Sequence, residues 1–342
     1  MSKRIEWIDV VKGLAILLVI VGHTIHPRSF SWIVIFTFHM PVFFIISGFL
    51  YKPRTPYEIM AKKSKRLLIP YLSTCLLLLI GANIINYLNH MNFEQISYSF
   101  NHLIFAFLYG NGVVPPKTYP FSDVWQVGML WFLLCLFLAE LLFSSLMMVT
   151  KNKNSNYFPL AIITTAGVGF VISHFIFLPW NIDLAMIALI YLYIGYELRK
   201  RSFDSVKIPM YIIVCMILFW IQTVHIGGIE MSSRTYPMFP FSILGSICAS
   251  ILFIQGCKII SKIEMIKKPL AFLGSESLII LCFHQLEINL IPWYKLTNLY
   301  PVLIEYPRLL EIVLICLKIA LLTLVALYVK KVPFIRKLYY IK

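Results

Sequence analysis

Charge is what this chain has least of. Asp, Glu, Lys and Arg make up only 13% of its 342 residues, against 60% hydrophobic ones, and its mean hydropathy is +0.82. A soluble domain carries about a quarter charged residues, so a soluble fold is excluded. Acidic residues are the scarcer kind, 15 against 30 Lys and Arg. That basic excess would suit nucleic acid if it formed one patch. Instead the cations recur in alternate connections: Lys3 and Arg4, 52–66, Lys151 and Lys153, 199–207, 258–268 and 330–342. The connections between hold only Arg28, Lys117, Arg234, Lys295 and Arg308. This is the positive-inside pattern. It argues against nucleic acid and predicts that both termini are cytoplasmic. The 7 cysteines form no CxxC, so neither a metal site nor a disulfide framework is expected, and they read as small buried hydrophobes. No small-x-small cleavage site follows the first apolar run, so that run is expected to stay as an anchor. There is no internal repeat, no low-complexity tract and no polar stretch long enough for a second domain. Residues 1–342 are therefore expected to form a single integral-membrane domain.

What is present is a series of apolar stretches. A span needs about 20 mostly apolar residues, and ten stretches qualify: 8–26, 31–51, 67–88, 125–149, 157–175, 182–198, 209–225, 239–257, 270–288 and 308–329. The expected fold is all-α, a polytopic membrane protein of about ten transmembrane helices. In the long connection 89–123, HLIFAFLYG is too short to span and reads as an interfacial or re-entrant helix. The basic EIMAKKSKRLL before the third stretch reads as helical.

The first stretch, IDVVKGLAILLVIVGHTIHP, carries the sharpest signal. Lys12 and His23 are eleven residues apart, so they share one helix face and lie roughly 16 Å apart along the axis. Asp9 precedes Lys12 by one turn. Ionisable groups at membrane depth are costly and point to function. His23 is either a general base near neutral pH or an interhelical hydrogen-bonding group. Lys12 either snorkels to the headgroups, with Asp9 as its i,i+3 partner, or lines a polar path.

Other stretches add polar groups. In FHMPVFFIISGFLY, Pro41 should free backbone carbonyls, and Ser47–Gly48 permits close helix approach. His39 there is either a second polar group in the same cavity or the group that satisfies the kink. AKKSKRLLIPY places Lys63 and Arg66 at a cytoplasmic helix start, where cations suit phosphate or simply the anionic leaflet. GSESLIILCFHQLE puts Ser277 and His284 seven apart on one face, with His284 at about the depth of His23. Asp183, inside PWNIDLAM, is a carboxylate at the outer start of a span.

Cations therefore lie at the cytoplasmic end and imidazoles near the outer end. That polarity suits a phosphorylated cytosolic donor whose reactive group reaches through the membrane to an acceptor outside. Acetyl-CoA fits, because its pantetheine arm separates phosphates from the thioester. The arrangement requires a hydrophilic passage bordered by the N-terminal segment.

These motifs resemble the acyltransferase-three family of integral-membrane acyltransferases, particularly its polysaccharide O-acetylase branch related to fucose 4-O-acetylase. IDVVKGLAILLVIVGH is similar to the family's opening Arg-x10-His element, with Lys12 where many members have Arg. FHMPVFFIISGFLY is similar to the second-span motif and KKSKRLLIPY to the Arg-x-x-Arg stretch, with Lys63 and Arg66 at its cationic positions. LWFLLCLF, around Trp131, resembles the fourth-span motif. PWNIDLAMIALIYLYIGYELRK and FLGSESLIILCFH look like later elements. The resemblance implies acyl transfer from cytosolic acyl-CoA to a hydroxyl of a cell-envelope polysaccharide or lipid-linked sugar, in the bacterial cytoplasmic (inner) membrane, without a metal. It implies His23 as the catalytic histidine, supported by Lys12 and Asp9, and Lys63 and Arg66 as acyl-CoA-binding residues. His39, Ser47, Trp131, Asp183, Ser277 and His284 are further cavity candidates. Another acyl group, such as succinyl, remains open. The alternative is a transporter or flippase for a glycan or lipid-linked sugar, a class that often shows paired repeats with broken helices.

Overall fold

The computed structural model describes residues 5–92, 100–151, 154, 156–203, 208–293, 295 and 306–340. Lys3, Arg4, Lys153, Lys207 and Lys342 of the charge pattern, and parts of the connections 89–123 and 289–307, lie outside them. The described residues form helices and no strand: α1 (Glu6–Gly22), α2 (Phe30–Phe36), α3 (His39–Phe49), α4 (Pro56–Lys63), α5 (Ile69–Asn92), α6 (Phe100–Tyr109), α7 (Trp131–Thr150), α8 (Tyr157–Ser173), α9 (Ile182–Lys200), α10 (Met210–His225), α11 (Phe241–Ile260), α12 (Glu264–Ser275), α13 (Ser277–Leu290), α14 (Pro307–Val329) and α15 (Pro333–Tyr339). A π-helical turn, Ser64–Leu68, joins α4 to α5.

Among the described residues, six helical segments can cross a membrane by length and composition: Phe30–Phe49, Pro56–Ile85, Gly128–Thr150, Pro179–Lys200, Phe241–Ile260 and Pro307–Val329. A seventh is the pair α12 and α13, if the two count as one. This is fewer than the ten stretches read from hydropathy. Of the remainder, α8 and α10 are apolar but shorter, and α1 has 17 residues with Glu6, Asp9 and Lys12 in its first half. The outer surface suits lipid. Leu72, Leu76, Ile80 and Ile84, four residues apart along α5, are all exposed, a pattern that water would penalise. Cys215 and Cys316 are exposed too, which corrects their expected burial; both sit on apolar helices of that surface.

Two stretches that read as continuous are broken. The second divides at Thr37–Phe38 into α2 and α3, and Pro41 falls in the first turn of α3, where its missing N–H costs little. The ninth divides at Glu276, where α12 and α13 meet at 68°. Hydropathy runs through both breaks, so composition alone could not reveal them. Elsewhere local rules hold. Thr55 and Glu58 close a capping box around Pro56 at the start of α4, which fixes where the basic helix begins. HLIFAFLYG does form the short helix α6, tied down by Tyr71 Oη donating to Phe107 O at 2.6 Å and Trp180 Nε1 donating to Leu108 O at 2.9 Å.

Backbone contact at two glycine pairs holds the centre together. A Cβ on Gly13 of α1 would lie 2.0 Å from the Leu270 carbonyl oxygen of α12, and one on Gly274 only 1.7 Å from the Asp9 carbonyl oxygen. Between α3 and α9 the same reciprocity holds: a Cβ on Gly48 would lie 2.0 Å from Leu192 O, and one on Gly195 1.9 Å from Ile45 O. Small residues of this kind let membrane helices touch through their backbones. Gly195→Ala should therefore force α3 from α9 and destabilise the protein by about 1–3 kcal/mol or more, read as a lower thermal midpoint in detergent. Gly256→Ala in α11, where nothing lies within 4 Å, should leave the midpoint unchanged or raise it.

Candidate functional site

At the basic end, the first turns of α1 present Asp9 and Lys12, joined by an ion pair of 2.8 Å. The capped α4 delivers Lys63, whose ammonium lies 2.6 Å from Glu140 of α7. The π-helical turn then inserts an extra residue per turn, a device frequent at functional sites, and Lys63 and Arg66 both face the same cavity. Two cavities meet here. The wider, about 1500 Å³ of empty space, is walled by Asp9, Lys12, Lys52, Arg66, Arg199 and Glu276 among others. The deeper, about 890 Å³, is bounded by Lys12, Lys63 and Arg66 at one end and runs between Ile16, Phe43, Ile46, Phe132, Leu136 and Leu278. Lys12, Leu50 and Arg66 line both.

Among the described residues, only Ser47 and Ser277 bring uncharged polar side chains into the deeper cavity's wall. Its middle is therefore apolar, which corrects the expectation of a hydrophilic passage throughout. The cause is the sequence of α1, α3 and α7, which offer Ile, Phe and Leu at the facing positions.

Met40 and Leu281 line both this cavity and a third, narrower one. The third holds His23, Phe36, His39, Trp131, Glu230 and Ser232. His23 caps the C-terminal end of α1 and is exposed. Its ring lies edge-on to Phe36 at 5.9 Å and to His284 at 6.0 Å. His39 is buried and contacts Ile35 O through Nδ1 at 2.9 Å. It lines the cavity, and the carbonyl it contacts, Ile35 O, also accepts from Phe38 N. His284 is fully buried, with Nδ1 2.6 Å from Glu287 Oε2. The sequence-derived candidates therefore gather into two groups: Asp9, Lys12, Lys63 and Arg66 at one end, and His23, His39, Trp131 and His284 at the other. Ser47 and Ser277 lie between.

Asp183 stands apart from both groups. It is fully buried and paired with Arg234 at 2.8 Å. Arg234 Nη2 also donates to Asn111 Oδ1 and Asn181 Oδ1, each at 3.2 Å, and the guanidinium stacks on Phe177 at 3.9 Å. This clasp fixes the loop that carries Glu230, Met231 and Ser232 over the His23 cavity. Sequence reasoning missed Arg234, Glu140, Glu287 and Lys318. The last three were visible as lone ionisable residues in apolar stretches, the signal already used for Lys12. Arg234, a loop cation with a partner 51 residues away, left none. Among the described residues, no cluster of three or more His, Cys, Asp or Glu could hold a metal ion.

These features define a helical membrane protein with cations around the cavities at one end and imidazoles around the cavity at the other. The chain belongs to the acyltransferase-three family of membrane acyltransferases: residues 5–330 match the acyltransferase domain that defines it. No curated protein and no solved structure gives a significant match.

Removing one partner of the clasp strands a buried charge. Arg234→Met should destabilise the protein by about 3–5 kcal/mol, and adding Asp183→Leu should recover most of that loss. Thermal unfolding of the three variants in detergent measures both effects.

Proposed function

We propose that this acyltransferase moves an acetyl group from acetyl-CoA to a hydroxyl of an envelope polysaccharide or lipid-linked sugar, across the bacterial cytoplasmic membrane. The observation that supports the proposal is a row of three neighbouring cavities, with Lys12, Lys63 and Arg66 around the first two and His23 around the third, Met40 and Leu281 being common to the walls of the last two. In this reading the cationic end faces the cytosol and its guanidinium and ammonium groups bind the donor's phosphates. Arg66 can grip an anion with two parallel N–H bonds, and the lysines add charge. The apolar middle suits the largely aliphatic pantetheine arm, and Ser47 and Ser277 serve its amides. The thioester then lies beyond Met40 and Leu281, beside His23.

There His23 takes the proton of the acceptor hydroxyl as the oxygen attacks the thioester carbonyl. The C–O bond forms, the C–S bond breaks, and the leaving thiolate receives the proton from His23. Trp131 offers an aromatic face, and Glu230 and Ser232 offer hydrogen-bonding groups to the acceptor. Lys12 and Asp9 act at the donor end. The two termini lie on the cytosolic side, and surrounding lipid is the only other partner required.

A positioned base contributes about 10²–10⁴-fold, so His23→Ala should lose that much acyl transfer from labelled acetyl-CoA to membrane glycan while the protein remains in the membrane. Arg66→Ala should raise KM for the donor and change kcat little. Glycan movement without donor consumption would instead mark a transporter and overturn the proposal, as would full transfer by His23→Ala.

A further inference from the structure

One buried cluster takes no part in the transfer step just described. His284 and Glu287 lie one turn apart on α13, with Nδ1 2.6 Å from Glu287 Oε2. The other carboxylate oxygen faces Lys318 of α14 at 3.4 Å and accepts from Trp293 Nε1. Both oxygens of Glu287 are thus engaged as acceptors, and Lys318 balances the carboxylate charge. A neutral His284 in this setting carries its proton on Nδ1, donated to Glu287, and leaves the Nε2 lone pair open. That Nε2 is buried and has no hydrogen-bond partner. A buried polar atom left unpaired costs about 1–3 kcal/mol, so its persistence needs a reason. The ring that faces it is His23, 6.0 Å away between centres and tilted by 71°.

We propose that Glu287 and His284 are positioning residues for His23. Nε2 of His284 accepts the N–H of His23. This fixes the tautomer of His23 so that its other nitrogen presents a lone pair to the acceptor hydroxyl. The inference rests on the acyl-transfer reading given above. It extends the general rule that a catalytic base is itself oriented by a third group. The observed separation is longer than a direct bond. His23, exposed at the end of α1 beside an open cavity, closes it by a small rotation when substrate fills the site, as catalytic hydrogen bonds commonly tighten on binding. Protons balance without involving the dyad: the hydroxyl proton passes to His23 and then to the thiolate, while His284 keeps its proton on Nδ1, donated to Glu287, throughout. The charged and titratable groups around His23 are His39 and Glu230 on the cavity side, and His284, Glu287 and Lys318 behind it.

The test uses the full-length protein in membranes, with labelled acetyl-CoA as donor and the membranes' own glycans as acceptor. His284→Phe should lower kcat by about 10–100-fold, the usual cost of losing an orienting partner, and leave KM for acetyl-CoA within about twofold. His284→Gln, whose carboxamide oxygen can stand in for Nε2, should regain at least about fivefold over His284→Phe. The double variant Glu287→Gln with Lys318→Met removes the carboxylate without stranding the lysine and should lose kcat in the same way. A purely structural cluster would lower the thermal midpoint of His284→Phe and leave kcat intact, which overturns the proposal. So would a Gln variant no faster than Phe. Loss of all transfer by His23→Ala, with these variants unaffected, would overturn the positioning role and leave the acyl-transfer reading standing. A wild-type protein that consumes no acetyl-CoA would overturn both.

Discussion

Direct backbone contact between helices, made possible by glycine, decides where every polar group in this bundle ends. Gly13 and Gly274 bring α1 and α12 within reach of each other's carbonyls. That contact fixes the height of Asp9 and Lys12 relative to Ser275, Glu276 and Ser277, which follow immediately. Gly48 and Gly195 do the same for α3 and α9. Ser47, adjacent to Gly48, is thereby set in the wall of the deep cavity. Asp183, at the start of α9, is set where Arg234 can close on it. In lipid there is no hydrophobic drive to press helices together, so such contacts carry much of the specificity.

The second constraint is the cost of charge away from water. Four cations among the described residues meet carboxylates inside the bundle: Lys12 with Asp9, Lys63 with Glu140, Arg234 with Asp183 and Lys318 with Glu287. The pairs differ in what surrounds them. The side chains of Arg234 and Asp183 are only 2% and 0% exposed, so they hold structure and cannot reach a ligand. Lys12 and Lys63 keep about a quarter of their side chains exposed and border open cavities, so an incoming anion can compete for them. Burial thus separates a clasp from a binding surface although the pairing chemistry is the same.

Much of this was legible in the sequence because it is local or periodic. The eleven-residue spacing of Lys12 and His23 follows from helix geometry alone, and both line the passage. The basic helix before α5 and the short helix α6 follow from composition and spacing as well; for His284 the spacing gives only its depth, and the ring contact with His23 needs the fold. What was hidden is what depends on distant residues or on bends. The break at Glu276 sits in GSES, a polar stretch too short to lower the hydropathy of the whole span, so span counting joined two helices. Lys63 and Glu140 are 77 residues apart, and nothing local predicts their meeting. The Arg234 loop looked like an ordinary connection because its anchor, Asp183, lies on another element. Lys318 and Glu287 could have been flagged as isolated ionisable residues; only the fold shows that they meet.

The apolar middle of the passage is the point at which the fold most sharply qualifies the sequence reading. Placing polar groups at both ends suggests polarity between them, yet Ile16, Phe43, Ile46, Phe132 and Leu136 form the walls there, and Met40 and Leu281 stand at the junction with the His23 cavity. A water-filled conduit joining two faces of a membrane would conduct protons and small ions. An apolar constriction resists wetting and blocks them. The same walls accept a flexible aliphatic arm with few polar atoms, whose burial is favourable at about 25 cal/mol per Å² of apolar surface. A barrier to ions and a slot for such an arm therefore make the same demand on side chains. Charges at one mouth, hydrocarbon in the middle and imidazole at the far end meet that demand without a gate.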